Sequence, residues 1–233
     1  MKIIFLLPVS TDAYLRKRVT ALEHEGAEPL IFAFERDHYP AKPWHAYQTL
    51  GKISDGGYLK RIPQLLRAVV KVRPYVKEVQ VLYCFGLDSL VVGWLASRGR
   101  PNPPKLVYEV ADIREILLSK GMAGCTLRWL ERFILHYVYM LVVTSPAYVD
   151  HYFHGIQASY HLPVQVIENK LLLSEIPQKP ATMKLVEKED ETIIIGYFGL
   201  IRCRRSWEVL KQLVRQGKGR FRVYIRGFIS DSL

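Results

Sequence analysis

Ile3-Ile4-Phe5-Leu6-Leu7 is short, apolar throughout and ended by Pro8. Such a run reads as a strand buried on both faces, the kind found inside a parallel sheet. Thr11 or Asp12 can cap the next segment, and Ala13 to Gly26 reads as a helix that Gly26 closes. Pro29-Leu30-Ile31-Phe32-Ala33-Phe34 is a second buried strand. Strand, helix and strand in this order imply a parallel pair joined by a right-handed crossover.

The pattern repeats further along. Strands are expected at Val79 to Phe85, Lys105 to Val110, Met140 to Thr144 and Pro163 to Ile167. Helices are expected at Asp88 to Ser97, in the stretch reaching about Tyr139, and from Ser145-Pro146 to Phe153, where serine caps and proline takes the first helical position. This alternation indicates a doubly wound α/β domain over residues 1–170. Pro177, Pro180 and the charged run Glu187 to Glu191 break it and read as a linker over 171–190. The alternation then restarts with Thr192 to Phe198, Arg204 to Gln216 and Phe221 to Ile225. Residues 191–233 are therefore read as the incomplete start of a second Rossmann-like domain. Two strands and a helix are too little core to stand alone, so exposed apolar surface is expected there.

Composition narrows the partners. The 233 residues carry 33 basic and 22 acidic side chains, a formal net charge of +11. That suits nucleic acid, an anionic membrane surface or a phosphorylated substrate. No nucleic-acid-binding module is recognisable, and nucleic acid is set aside. Cys84, Cys125 and Cys203 are far apart and odd in number, which fits reduced thiols in the cytoplasm better than a disulfide framework or a zinc site. No secretory signal is evident, and the longest later apolar stretch is far short of the ~20 residues that a membrane span needs. The expected place is the cytoplasm, with peripheral membrane contact open. Ile62 to Arg73 is a basic amphipathic helix candidate: Ile62, Leu65, Leu66, Val69 and Val70 recur at helical spacing, among Arg67, Lys71 and Arg73. Pro63 suits its first turn. Such a helix can lie on an anionic membrane, or simply be a domain helix with a charged outer face.

Ligands of open α/β sheets bind beyond the carboxyl ends of the strands. That rule selects Asp12, Asp88, Glu109, Asp112, Ser145 and Asn169, with the loop after Phe198. Glu109 and Asp112 close one strand and can serve as general base or hydroxyl ligand; Asp112 could instead cap a helix. In Gly196 to Ser206 a glycine joins a strand to a helix. Gly199 permits close backbone approach, the helix start favours an anion, and Arg202 and Arg205 offer bidentate donors to phosphate oxygens. Residues 191–233 hold nine basic and three acidic side chains. There is no GxGxxG and no GxxxxGK[ST], which disfavours NAD and ATP. His151 and His154 lack a third ligand and read as structural, so no metal site is expected.

Five segments together resemble the GT-B glycosyltransferases, most closely family 4, the retaining "group 1" enzymes. Leu82-Tyr83-Cys84-Phe85-Gly86-Leu87-Asp88-Ser89-Leu90 resembles the family's strand and "D-x-x-A/S" turn, and Val107 to Ile113 resembles "YDvHD". Val142-Val143-Thr144-Ser145 and Val166-Ile167-Glu168-Asn169-Lys170 resemble "vitvS" and "viPNG", and Gly196 to Ser206 resembles the opening of the donor domain. The resemblance implies a GT-B fold and transfer of a hexose from a UDP- or GDP-linked sugar to a glycan or lipid-linked acceptor, with no cofactor and no obligatory metal. It implies that Asp112 contacts the acceptor or the transferred sugar, and that Arg202 and Arg205 neutralise the departing diphosphate. Ala111 stands where many members have histidine, Glu168 and Lys170 replace the usual proline and glycine, and no E-x7-E segment precedes Leu233. A truncated, non-catalytic remnant or a partner subunit that binds acceptor or membrane is thus the alternative, with a sugar-nucleotide epimerase as a third reading.

Overall fold

The structure, a computed structural model, describes residues 1–36, 42–53, 58–159, 161–170, 192–199, 201 and 203–227, without the side chains of Ala13, Tyr58 and Leu59. The proposed linker at 171–190 lies outside the described residues. The chain divides into two compact units, Met1–Ile176 and Pro177–Leu233.

The first unit is a seven-stranded sheet with every pairing parallel. Its elements are β1 (Lys2–Leu7), α1 (Ala13–His24), β2 (Glu28–Glu35), β3 (Gln48–Lys52), α2 (Tyr58–Val72), β4 (Val81–Phe85), α3 (Gly86–Ser97), β5 (Lys105–Val110), α4 (Glu115–Leu118), α5 (Met122–Leu135), β6 (Val138–Val143) and β7 (Val164–Val166). A 3₁₀ turn at Tyr75–Glu78 precedes β4, and a π-helical segment at Tyr148–His154 precedes β7. The spatial order is β3-β2-β1-β4-β5-β6-β7. The direction of winding reverses between β1 and β4, which is the topological switch point of an open α/β sheet.

Period-two alternation sends side chains to both faces. Ile4 and Leu6 join Ala68, Leu90 and Ile134 from α2, α3 and α5 in one core. Ile3, Phe5 and Leu7 join Leu15 and Val19 of α1 in the other. That double burial is why β1 reads as an unbroken apolar run.

Three expectations change. β3 has only Leu50 buried, an edge strand without the apolar run that marks the central ones. The helical stretch expected to reach Tyr139 is two helices ending at Leu135, and β6 starts at Val138. The helix expected from Ile62 begins at Tyr58, so Pro63 sits in its interior and forgoes one backbone bond. The tertiary contacts of α2 outweigh that loss: Ala68 and Val72 are fully buried.

The second unit has β8 (Ile193–Phe198), α6 (Arg204–Gln216) and β9 (Phe221–Arg226), the strands paired in parallel. No residue of α6 is buried, and Ile194, Phe198, Val209 and Tyr224 are exposed. The apolar surface expected on this unit is therefore present.

Candidate functional site: a cleft at the switch point

A cleft of about 300 Å³ opens at the carboxyl ends of β1, β4 and β5. The loops after β1 and β5 form its sides, and the junction of β4 with α3 forms its floor. That junction has no loop: Phe85 ends the strand and Gly86 begins the helix. Gly86 manages the turn at φ +74°, a conformation that costs a side-chain-bearing residue dearly.

Glu109 lies at the end of β5 and is 1% exposed. Arg18 reaches it with Nη2 at 2.8 Å and with Nε at 3.2 and 3.1 Å from the two oxygens. The Tyr14 hydroxyl donates to the same carboxylate. Burial, then the Glu109 charge, holds the Tyr14 and Tyr83 hydroxyls well above the usual phenol range. Burial alone would lower the Arg18 pKa, but the bond to Glu109 more than offsets this. Glu109 is thus enclosed by cation and phenols, a poor position for a general base.

Asp112 differs. It is exposed on the loop after β5 and lines the cleft. Burial, then the Asp112 charge and the hydrogen bond to its carboxylate, raises the Tyr148 hydroxyl. Thr144 Oγ1 donates to the Ala111 carbonyl at 2.9 Å, pinning this loop to the end of β6. Ala111, where the resemblance leads one to expect histidine, serves through its backbone. Asp112 caps no helix: α4 begins after Arg114.

The other candidates separate. Asp12 lines the cleft and caps α1, accepting from the Tyr14 amide at 2.8 Å. Asp88 is 7% exposed and bridges Arg61 at 2.8 Å and Arg114 at 3.1 Å, so its oxygen is committed to a buried ion pair and does not line the cleft. Ser145 Oγ accepts from the Ala147 amide at 3.3 Å, just ahead of the π-helical segment, and Asn169 is exposed after β7; neither lines the cleft. Arg114, at the end of the loop after β5 that the strand-end rule selects, lines it as well, and so do Tyr14 and Arg36, which are not foreseen from the sequence. Tyr14 and Arg18, four residues apart on one face of α1, were the available signal.

In the second unit, Gly199 follows β8 at φ +128° and its amide bonds to the Arg226 carbonyl at 3.0 Å. A Cβ on Gly227 would meet the Gly199 carbonyl oxygen at 1.9 Å, so the close approach of the strand ends needs glycine at 227, whereas at 199 the positive φ is what favours it. Arg205 is exposed in the first turn of α6, a turn without an acidic residue. Arg202 lies outside the described residues. Among the described residues no group of three His, Cys, Asp or Glu could hold a metal ion, and no helix is long and apolar enough to cross a membrane.

No protein-family model matches the chain. Among curated proteins it is similar to the succinoglycan biosynthesis protein ExoL of Rhizobium meliloti (strain 1021), 28% identical over 234 residues. The match takes in 97% of this chain and 58% of that protein, so the chain spans little more than half the length of its relative. Among solved structures it is similar to sucrose-phosphate synthase from Thermosynechococcus elongatus, with TM-score 0.65 and 17% identity over 99% of this chain and 71% of the other. It is also similar to a chain described as a UDP-N-acetylglucosamine 2-epimerase from Listeria monocytogenes, with TM-score 0.59 and 14% identity over 96% and 61%. At such identities the likeness concerns the fold, which is α/β and GT-B-like.

Proposed function

We propose that this chain belongs to a retaining glycosyltransferase of family 4 type, one that moves a hexose from a UDP- or GDP-linked sugar to a glycan or lipid-linked acceptor in polysaccharide or glycolipid assembly. The observation that carries the reading is the cleft at the β1/β4 switch point, with Asp112 as its exposed carboxylate. The succinoglycan-biosynthesis relative and the GT-B-like fold support the same class.

In this reading the cleft receives the acceptor. Asp112 accepts a hydrogen bond from the attacking hydroxyl or from a hydroxyl of the transferred sugar, and Tyr148 keeps its carboxylate oriented. Asp12 lines the approach. Glu109 acts one step back, holding Tyr14 at the cleft wall through the Arg18 pair. Asp88 likewise positions Arg114. Charge builds on the diphosphate as the sugar departs, and stabilising it is the main catalytic task. Gly199, Arg202, Arg205 and the amide end of α6 take that role. The reaction needs no cofactor beyond the nucleotide sugar. Peripheral contact with an anionic membrane face through α2 belongs to this reading.

Isothermal titration of the folded protein with UDP- and GDP-hexoses tests it. Binding within the usual substrate range, ~1 μM to 1 mM, that weakens several-fold in Arg205→Gln is the expected result. A folded sample that binds neither sugar removes the donor role of the α6 start.

A further inference from the structure

The helical layer on one face of the sheet carries a surface that the cleft does not use. α3 packs between α2 and α5. Leu65, Ala68, Val69 and Val72 of α2 turn toward the core. Ile62, Leu66 and Val70, one helical turn apart, face away from it, and Val70 is 72% exposed. The sequence spacing alone merges these two stripes. α5 has the same division. Ile134 and Leu135 are buried, whereas Met122 is 88% and Trp129 66% exposed, and Phe133 and Tyr137 follow on the same side.

The aromatic rings form a ladder. Trp129 and Phe133 stack at 6.0 Å with an 11° interplanar angle, and Phe133 meets Tyr137 edge-on at 5.7 Å. Trp94 of α3 joins it, 5.6 Å from Phe133 and 5.9 Å from Tyr137. The Arg98 guanidinium lies 5.3 Å from the rings of both Trp94 and Tyr137.

The exposed charge on these three helices has one sign. α2, α3 and α5 contain two carboxylates in all, Asp88 and Glu131, and both are buried. Lys60, Arg67 and Lys71 of α2 and Arg132 of α5 are exposed, and Arg73 and Arg98 follow the ends of α2 and α3. Across the sheet the charge is mixed: α1 carries Arg16, Lys17 and Arg18 near its start and Glu23 near its end, with Glu25 just after it. A second copy of the chain would bring an identical cationic face to this one, and like charges oppose that pairing. Exposed aliphatic side chains beside the rings disfavour a sugar chain. Tryptophan and tyrosine among arginines and lysines, with apolar side chains projecting from flat helices, match the headgroup boundary of a bilayer.

We propose that the outer face of α2, α3 and α5 docks on an anionic lipid bilayer, with Trp129 and Phe133 seated at the acyl boundary and the flanking cations on phosphate headgroups. This extends the α2 contact of the functional reading to a second, aromatic anchor. It is separable from sugar transfer, because vesicle binding and nucleotide-sugar binding are read independently. Leu117 lines the cleft, and Leu118 and Met122, the next apolar residues along the chain, are exposed.

Flotation with phosphatidylcholine vesicles, with and without phosphatidylglycerol, tests the surface. The protein should float with the anionic vesicles only. Trp129→Ser with Phe133→Ser should lower the partition coefficient roughly tenfold or more, and each of Arg67→Gln and Lys71→Gln about fivefold. Brominated lipid should quench tryptophan emission, and Trp129→Phe should remove most of that quenching while keeping a folded ladder. Failure of the unaltered protein to float overturns the proposal. So does flotation of the double variant equal to that of the parent, or retention on polysaccharide or self-association through this face without vesicle binding.

Discussion

Arg18 and Glu109 form a two-pronged ion pair across the sheet–helix boundary, with Nη2 and Nε of the guanidinium spanning both carboxylate oxygens. The pair is nearly sealed from solvent, the Glu109 side chain at 0% and Arg18 at 14% exposure. Removing one partner leaves a buried charge unpaired, which typically costs about 3–5 kcal/mol. Arg18→Met should therefore lower the unfolding free energy by about that amount. Arg18→Met with Glu109→Leu should recover a large part. Denaturant melts of the two variants check this; equal losses would show that the charge is solvated after all.

Asp112 is the cleft carboxylate that remains exposed. If it orients the acceptor or the transferred sugar, Asp112→Asn should reduce kcat/KM for sugar transfer by about 10²–10⁴-fold. Nucleotide-sugar affinity and melting temperature should stay near those of the parent. Glu109→Gln, by contrast, should lose stability as well as activity. Transfer kinetics alongside a thermal melt separate the two carboxylates.

Glu131 is buried on α5, where Tyr108 donates to it at 2.7 Å and Tyr152 and Gln157 also donate. Burial outweighs those donors and raises its pKa. The folded protein therefore holds this proton more tightly than the unfolded chain does. The stability it contributes is fully present below the unfolded value, about 4.3, and falls as pH rises from there through the folded value. Glu131→Gln lacks this titration. The stability of the parent minus that of the variant should decline as pH rises above about 4.3, as read from melts across pH. A difference that grows with pH would contradict the burial argument.

Gly93 lies inside α3 against β4. A Cβ there would stand 2.6 Å from Cys84 Sγ and 3.2 Å from Leu6 and Leu106 methyl carbons. Overpacking of this kind costs about 1–3 kcal/mol, against a gain of up to about 1 kcal/mol in helix propensity. Gly93→Ala should be a net loss. Adding Cys84→Ala should recover stability by vacating the sulfur, a coupling that a double-mutant cycle measures.

Much of the fold was legible because central parallel strands have a distinctive chemistry. β1, β2, β4 and β5 are buried on both faces, so no polar residue interrupts their cores until Glu109. β3 is silent for the converse reason: at the edge, with Leu50 alone buried, its sequence carries no such mark. The site was half legible. The rule that ligands sit beyond the strand ends named Asp12, Glu109 and Asp112, all of which line the cleft. It also named Asp88 and Ser145, because loop position does not reveal which polar groups are already engaged, and Asn169, which is exposed after β7 and does not line the cleft.

The sequence by itself determined the alternation of strands and helices, the change at the start of β8 and the excess of positive charge, since these follow from local periodicity and composition. Only the tertiary structure decided which side chains were free. Glu109 and Asp112 are three residues apart and chemically alike, yet Arg18, from 91 positions earlier in the chain, encloses one and leaves the other open. The same holds for α2 and α5, whose apolar residues divide between core and surface only once α3 packs between them. Burial and pairing are long-range properties, set by neighbours distant in the chain.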